Sequence, residues 1–230
     1  MIGVVVPAHN EEGCLDACLH ALRRCATHPA LNREAVVIQV VLDDCSDASL
    51  AIAKWYSGAF QGTVSVRLLQ VAARNVGAAR GAGANLLLAR GARWLAFTDA
   101  DSRVGPGWLA AQLGLGADAV CGSVAVDDWS PHAHQANHMR DHFARTYNDA
   151  DGHRHIHGAN LGVSAAAYRA AGGFPPLTCS EDVALVEALQ RNGARIAWSA
   201  APRVITSARR DARARGGFGD TLLAVLDARP

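Results

Sequence analysis

Asp99 and Asp101 stand one residue apart at the end of an apolar run, in WLAFTDADSRV at residues 94–104. Alternate residues of an extended chain point to the same side. If the extension persists past Phe97, both carboxylates face one point, and two converging negative charges require a cation or a proton. Mg2+ and Mn2+ are hard ions that prefer oxygen and keep positions open for phosphate. A metal held there would neutralise a departing diphosphate. The simpler alternative is a solvated turn rich in Asp and Ser. A second acidic pair, Glu181-Asp182, opens an apolar helical stretch. A carboxylate there can deprotonate a hydroxyl, and the positive helix end favours its anion. Taken alone, Asp182 reads first as an ordinary first-turn acid.

The elements that must position these groups alternate between strand and helix. IGVVVPA is a continuous apolar strand, as expected when both sheet faces are covered. Asn10 is placed to cap a following helix with Glu11 and Glu12 in its first turn, and Leu15, Cys18, Leu19 and Leu22 form its buried stripe. AVVIQVVLDD is a second strand ending in acid, followed by a helix capped by Ser46 or Asp47. VSVRLLQV is a third strand, residues 75–90 a small-residue helix closed by Gly91, and RWLAFTDAD the fourth strand. Later come a strand in DAVCGSVAV, a helix over 131–147, extended chain in HIHGANLGVS and a short helix capped by Ser164. Thr178 and Glu181 have capping-box spacing before a helix that buries Leu185, Val186 and Leu189. The expected fold is α/β, with a mostly parallel central sheet flanked by helices. Ligands of such sheets bind at the carboxyl ends of the strands. Three of those ends carry Pro7 to Glu11, Asp43-Asp44, and Asp99 with Asp101.

The chain has 230 residues and a formal net charge of +1, half of it hydrophobic, which fits one domain and gives no general attraction to nucleic acid. Lys54 is the only lysine. The six cysteines form no C-x-x-C pair and no familiar zinc spacing; scattered thiols and the absence of a signal-like start favour a reducing cytoplasm. No apolar run approaches the ~18 residues needed to span a bilayer, which leaves peripheral membrane contact open. Seven of ten histidines lie between 132 and 157. His134, His138 and His142 would share a helical face, and His153, His155 and His157 a strand face. Zinc ligation is one reading; a polar wall of an acceptor pocket is preferred.

Five segments in order, VVVPAHNEE, VLDDCSDAS, RNVGAARGAGAN, FTDADS and SEDVALVEAL, resemble family 2 glycosyltransferases of the GT-A fold over roughly residues 3 to 200. The resemblance implies a single GT-A domain over 1–230, with a nucleotide-sugar half at 1–103 and an acceptor half at 104–230. It also implies a nucleoside-diphosphate sugar donor, Mn2+ or Mg2+, an acceptor of unknown type and inversion at the anomeric carbon. By position, Pro7, Ala8 and Glu11 match the first nucleotide-contacting strand end, and Asp43 and Asp44 the acidic pair that reads the base. Arg74 and Arg80 match basic positions near the diphosphate, although Arg80 reads equally as a solvated helix arginine. Asp99 and Ala100 fall at the donor, Asp99 and Asp101 at the metal, and Asp182 at the catalytic base. Glu181 is expected to cap its helix or to contact acceptor, and His157, Gly158 and Asn160 to lie near the reacting sugar. Two features depart from the family pattern. SARRDARARGGFG replaces a Q-x-x-R-W run, so that Arg209, Arg210, Arg213 and Arg215 form either a basic lid or a solvated tail. No histidine follows His157 to serve as a third metal ligand. A nucleotidyltransferase would want a glycine- and lysine/arginine-rich loop where PAHNEEGC is acidic. A retaining enzyme or a non-catalytic nucleotide-sugar binder stays open at this level.

Overall fold

The structure is a computed structural model that describes residues 1–59 and 62–210. The first half runs β1 (Ile2–Ala8), α1 (Leu15–Ala26), β2 (Val36–Asp43), α2 (Ser49–Ala59), β3 (Val64–Val71), α3 (Val76–Ala89) and β4 (Trp94–Phe97). The second half runs β5 (Arg103–Val104), α4 (Trp108–Gly114), β6 (Ala119–Ala125), α5 (Ala136–Thr146), β7 (Leu161–Ser164), α6 (Ala165–Ala170), α7 (Glu181–Arg191) and β8 (Ile196–Ile205). All eight strands join one sheet in the order β3-β2-β1-β4-β7-β6-β8-β5.

The first four strands are parallel; β1 and β2, at the middle of this half, are buried at every residue, in keeping with their apolar sequences, while the edge strand β3 is partly exposed. Beyond them the sheet is mixed: β7 runs antiparallel to both β4 and β6, β6 pairs parallel with β8, and β5 closes antiparallel on β8. One apolar layer lies under α1, with Leu15, Leu19 and Leu22 packed on Ile2, Val4 and Ile38. The other joins α3 and α7, with Leu87, Leu185 and Leu189 on the face that carries Val5, Leu95 and Phe97. The small residues of α3 let it lie close to the sheet: a Cβ on Gly83 would meet Val5 and Val41 at 2.8 Å.

Three local expectations change and one alternative, the α2 cap, is resolved. Asn10 does not cap α1; it adopts a left-handed backbone (φ 56°), and α1 starts only at Leu15, after the Glu11 carbonyl has accepted the Cys14 and Leu15 N–H groups. At α2 the cap is Asp47, whose Oδ1 accepts the Ser49 N–H at 2.9 Å. The expected helix over 131–147 is broken at Ala133 (φ 48°), so His134 is out of phase with His138 and His142. Thr178 forms no capping box: α7 follows Ser180 in a left-handed conformation, and the Glu181 side chain turns away to an arginine. Among the described residues no helix is long and apolar enough to cross a membrane.

Candidate active site

The ends of β1 and β2 are stitched together by side-chain bonds to backbone. Pro7 and Ala8 complete β1, and the Ala8 carbonyl accepts the Cys45 thiol. Asn10 Oδ1 accepts the Ser46 N–H at 2.8 Å, and across the same gap Asp47 Oδ2 accepts the Glu12 N–H while Glu12 Oε2 accepts the Ala48 N–H, both at 2.9 Å. The Glu11 carboxylate is buried and binds Arg209 through both oxygens at 2.7 Å.

At the end of β2 the two aspartates divide. Asp43 is buried, and its carboxylate accepts three backbone N–H groups, from Ala73 (2.7 Å), Arg74 (2.9 Å) and Asn75 (3.0 Å). It therefore holds the loop that launches α3, whose first turn is capped by Asn75. Asp44 lies beside it with a left-handed backbone, half exposed, and pairs with the exposed Arg74.

β4 stops at Phe97, and the chain then turns, the Asp99 carbonyl accepting the Ser102 N–H. Extended alternation therefore does not place Asp99 and Asp101. Each is aimed by a different arginine: Asp99 Oδ1 lies 2.5 Å from Arg80, and Asp101 Oδ2 lies 2.9 Å from Arg209. Ala100 between them is buried. Burial pushes the Asp101 carboxyl up to about 6; Arg209 opposes this, and the charges of Asp99 and Glu11 add to it. Among the described residues no three His, Cys, Asp or Glu side chains form a metal cage. A cation here would rest on the two aspartates and on oxygens of its own ligands.

Arg80 is neither solvated nor open to a diphosphate. It is 4% exposed and bridges Asp99 and Glu181. Glu181 is equally buried, so it neither caps α7 nor faces an acceptor; burial raises its carboxyl pKa and Arg80 opposes the rise. The next residue, Asp182, accepts the Gly158 N–H at Oδ2 (2.7 Å) and its neighbour's N–H at Oδ1. Gly158 is a glycine for a reason: a Cβ there would run into the Arg80 guanidinium.

Asn160, expected beside the reacting sugar, is fully buried. It accepts from Trp108 Nε1 at 2.8 Å and donates to the Ser123 and Pro202 carbonyls, bracing the sheet beneath the site. His157 is partly buried and contacts the Tyr147 hydroxyl at 2.9 Å. Burial, with the nearby His155 and His153, lowers its pKa to about 4. The rings of His153, His155 and His157 do share one face, as their alternation predicts. They stack at centroid spacings of 5.6 and 5.9 Å, and Tyr147 lies on His155 at 4.2 Å. Stacked rings do not direct their nitrogens at one ion, so the column is not a zinc site. Tyr147 was not singled out from the sequence, although an aromatic residue inside a histidine-rich run was visible. Arg209 reads from the sequence as part of a basic lid or of a solvated tail; its partners Glu11 and Asp101 lie far away in sequence, where no spacing could show them. Arg213 and Arg215 lie outside the described residues.

The acidic residues thus gather at the carboxyl ends of β1, β2 and β4, on an open α/β sheet of the GT-A type. Solved glycosyltransferases share the architecture at low identity. TarS 1-349 from S. aureus with UDP-GlcNAc has a TM-score of 0.68 at 15% identity, with 98% of this chain covered and 65% of that one. PcManGT from Pyrobaculum calidifontis, a mannosyltransferase with GDP-Man and Mn2+, has a TM-score of 0.65 at 16% identity, over 92% and 58%. GalNAc-T7 with UDP, GalNAc and Mn2+ has 0.62 at 16%, over 90% and 43%. The chain spans 65% or less of the length of these three. No curated protein matches it in sequence. The profile of Glycosyl transferase family 2 matches residues 3–171, and the chain belongs to that family.

Proposed function

We propose that the chain transfers a sugar from a nucleoside-diphosphate sugar to an acceptor hydroxyl, with a divalent metal and with inversion. The observation that carries this reading is the Asp99–Arg80–Glu181 bridge, which brings the D-x-D turn and the first turn of α7 into one site. A single displacement needs a charge-neutralising group at the leaving diphosphate and a base at the attacking hydroxyl. In this reading Asp99 with Asp101 serve the first task and Asp182 the second. The ligands of the similar structures, UDP-GlcNAc, GDP-Man, UDP and Mn2+, support the same donor class.

The donor set fits Mg2+ or Mn2+. It is made of carboxylate oxygens, and among the described residues Glu11, Asp99, Asp101 and Glu181 share Arg80 and Arg209 in the bridging ion pairs. Asp99 and Asp101 would hold the ion, which neutralises the diphosphate when bound. Asp43 is committed to the backbone, so Asp44 is the carboxylate that accepts from a nucleobase N–H edge. Pro7, Ala8 and Ala100 line the donor side, and Arg74 flanks it. Asp182 takes the proton from the acceptor hydroxyl, its carboxylate oriented by the Gly158 N–H. The acceptor approaches along His157 and the Tyr147–His155 stack. Six free thiols suit a reducing compartment such as the cytoplasm.

The test is transfer and hydrolysis with a panel of UDP- and GDP-sugars in Mn2+, with wild type and Asp182→Asn. The amide keeps the shape but cannot accept the proton, so turnover should fall by about 10²–10⁴ while donor affinity is kept. Wild-type turnover in Asp182→Asn refutes the base, and a product of retained configuration refutes the mechanism. Donor binding without turnover in wild type would mark a binding module.

A further inference from the structure

We infer that Arg80 is a positioning residue, one buried guanidinium that sets the geometry between the donor-side carboxylate Asp99 and the base Asp182. The inference rests on the reading of the site given above, and it assigns Arg80 a task other than binding diphosphate.

Three separate pieces of chain meet at this side chain. One terminal nitrogen donates to Asp99 Oδ1 at 2.5 Å, in the turn after β4. The other donates to Glu181 Oε1, in the first turn of α7. The face of the group lies against Gly158, whose N–H holds Asp182. The Phe174 ring packs 5.8 Å from the guanidinium carbon. A planar fork of fixed donors sets the angle between two carboxylates, whereas an ammonium is a point charge on a flexible stem. Arg80 is itself held rigidly, on a helix whose start is anchored by Asp43 and capped by Asn75. Gly77, one turn earlier, leaves room for the chain that leads into α7: a Cβ there would stand 2.6 Å from the Pro175 carbonyl and 3.0 Å from the Glu181 side chain. With Asp99 Oδ1 tied to Arg80, the other oxygen is the one left to present to a cation. Without the guanidinium, the buried Glu181 would face Asp99 with no positive group between them, and the turn and the helix would separate.

The experiment uses the full chain with Arg80→Lys, Glu181→Gln and the double variant. Mn2+ alone is titrated by electron paramagnetic resonance, and kcat and KM are measured with the donor that the panel identifies. Folding is checked by circular dichroism. Arg80→Lys should weaken Mn2+ binding by about tenfold or more, in the range seen when groups supporting metal ligands are lost. Its kcat should fall by about 10²-fold, the effect of an ångström-scale misplacement, with KM for donor changing by less. Glu181→Gln keeps the bond to Arg80 but removes a charge; it should lower kcat less, and the double variant should lose less than the product of the two. A merely structural role would lower stability and leave Mn2+ affinity and kcat of the folded variants at wild-type values, which would overturn the inference. If Arg80→Lys does not fold, Glu181→Gln decides: unchanged Mn2+ affinity and kcat there overturn the coupling. Wild-type protein that neither binds Mn2+ nor transfers sugar refutes the underlying reading of the site, an outcome distinct from unaffected variants.

Discussion

Replacing Asp43 separates architecture from recognition at the end of β2. The sequence makes Asp43 and Asp44 equal candidates for the nucleobase; the structure commits Asp43 to three backbone N–H groups at 2.7, 2.9 and 3.0 Å. Asp43→Ala leaves those donors without their partner. A buried donor left unsatisfied costs about 1–3 kcal/mol. Ala73 and Arg74 are exposed residues, where water can replace the lost acceptor, so the sum stays near the cost of one buried donor, about 1–3 kcal/mol. Asp43→Asn retains one acceptor oxygen for Ala73 and Arg74 but turns an NH2 toward the Asn75 N–H, for about 1–3 kcal/mol. For a chain of this size each kcal/mol moves Tm by about 2–4 °C. Asp44→Asn breaks only a partly exposed pair with Arg74 and should cost under about 1 kcal/mol. Urea unfolding and thermal melts of the three variants, with nucleotide binding measured below the melting transitions, make the test. Asp43→Ala within about 1 kcal/mol of wild type would refute the anchoring role. Loss of base selectivity in Asp43→Asn, with none in Asp44→Asn, would reverse the assignment of the two residues.

Arg209→Ala removes the cation that pairs with Glu11 and Asp101, so Mn2+ titrated by calorimetry should bind several-fold more tightly than to wild type; weaker binding would show that Arg209 supports the site instead. Asn160→Asp buries a charge and loses both donated bonds, and should destabilise by about 3 kcal/mol or more in urea melts, with no selective effect on acceptor KM. His157 is held neutral down to about 4 against an ordinary 6.5, so the unfolded chain binds the extra proton between those values. Stability should therefore fall as pH drops from 6.5 toward 4, by at most ~1.4 kcal/mol per pH unit, and be unaffected by this group above 6.5. His157→Gln should flatten that limb of the stability curve; an unchanged slope would contradict the burial.

Much of the architecture was legible because it is local. Short, valine-rich uninterrupted apolar runs such as IGVVVPA read as strands covered on both faces. The spacing of Leu185, Val186 and Leu189 and the glycines after α3, α6 and α7 mark helix faces and ends in the same way. Family motifs in order located the acidic strand ends. What the sequence could not contain was the choice among chemically equal residues. Asp43 and Asp44 differ only in which one meets the N–H groups of the next loop, 30 to 32 residues away. Arg80 reads equally as a diphosphate contact and as a solvated helix arginine until α7 arrives, 101 residues later, to bury it between two carboxylates. The D-x-D pair obeys strand alternation only while the strand continues, and the turn after Phe97 hands each aspartate to its own arginine. Local pattern sets which backbone forms. Long-range packing decides which charged groups lose water, and a group that loses water must find a partner wherever the fold has placed one.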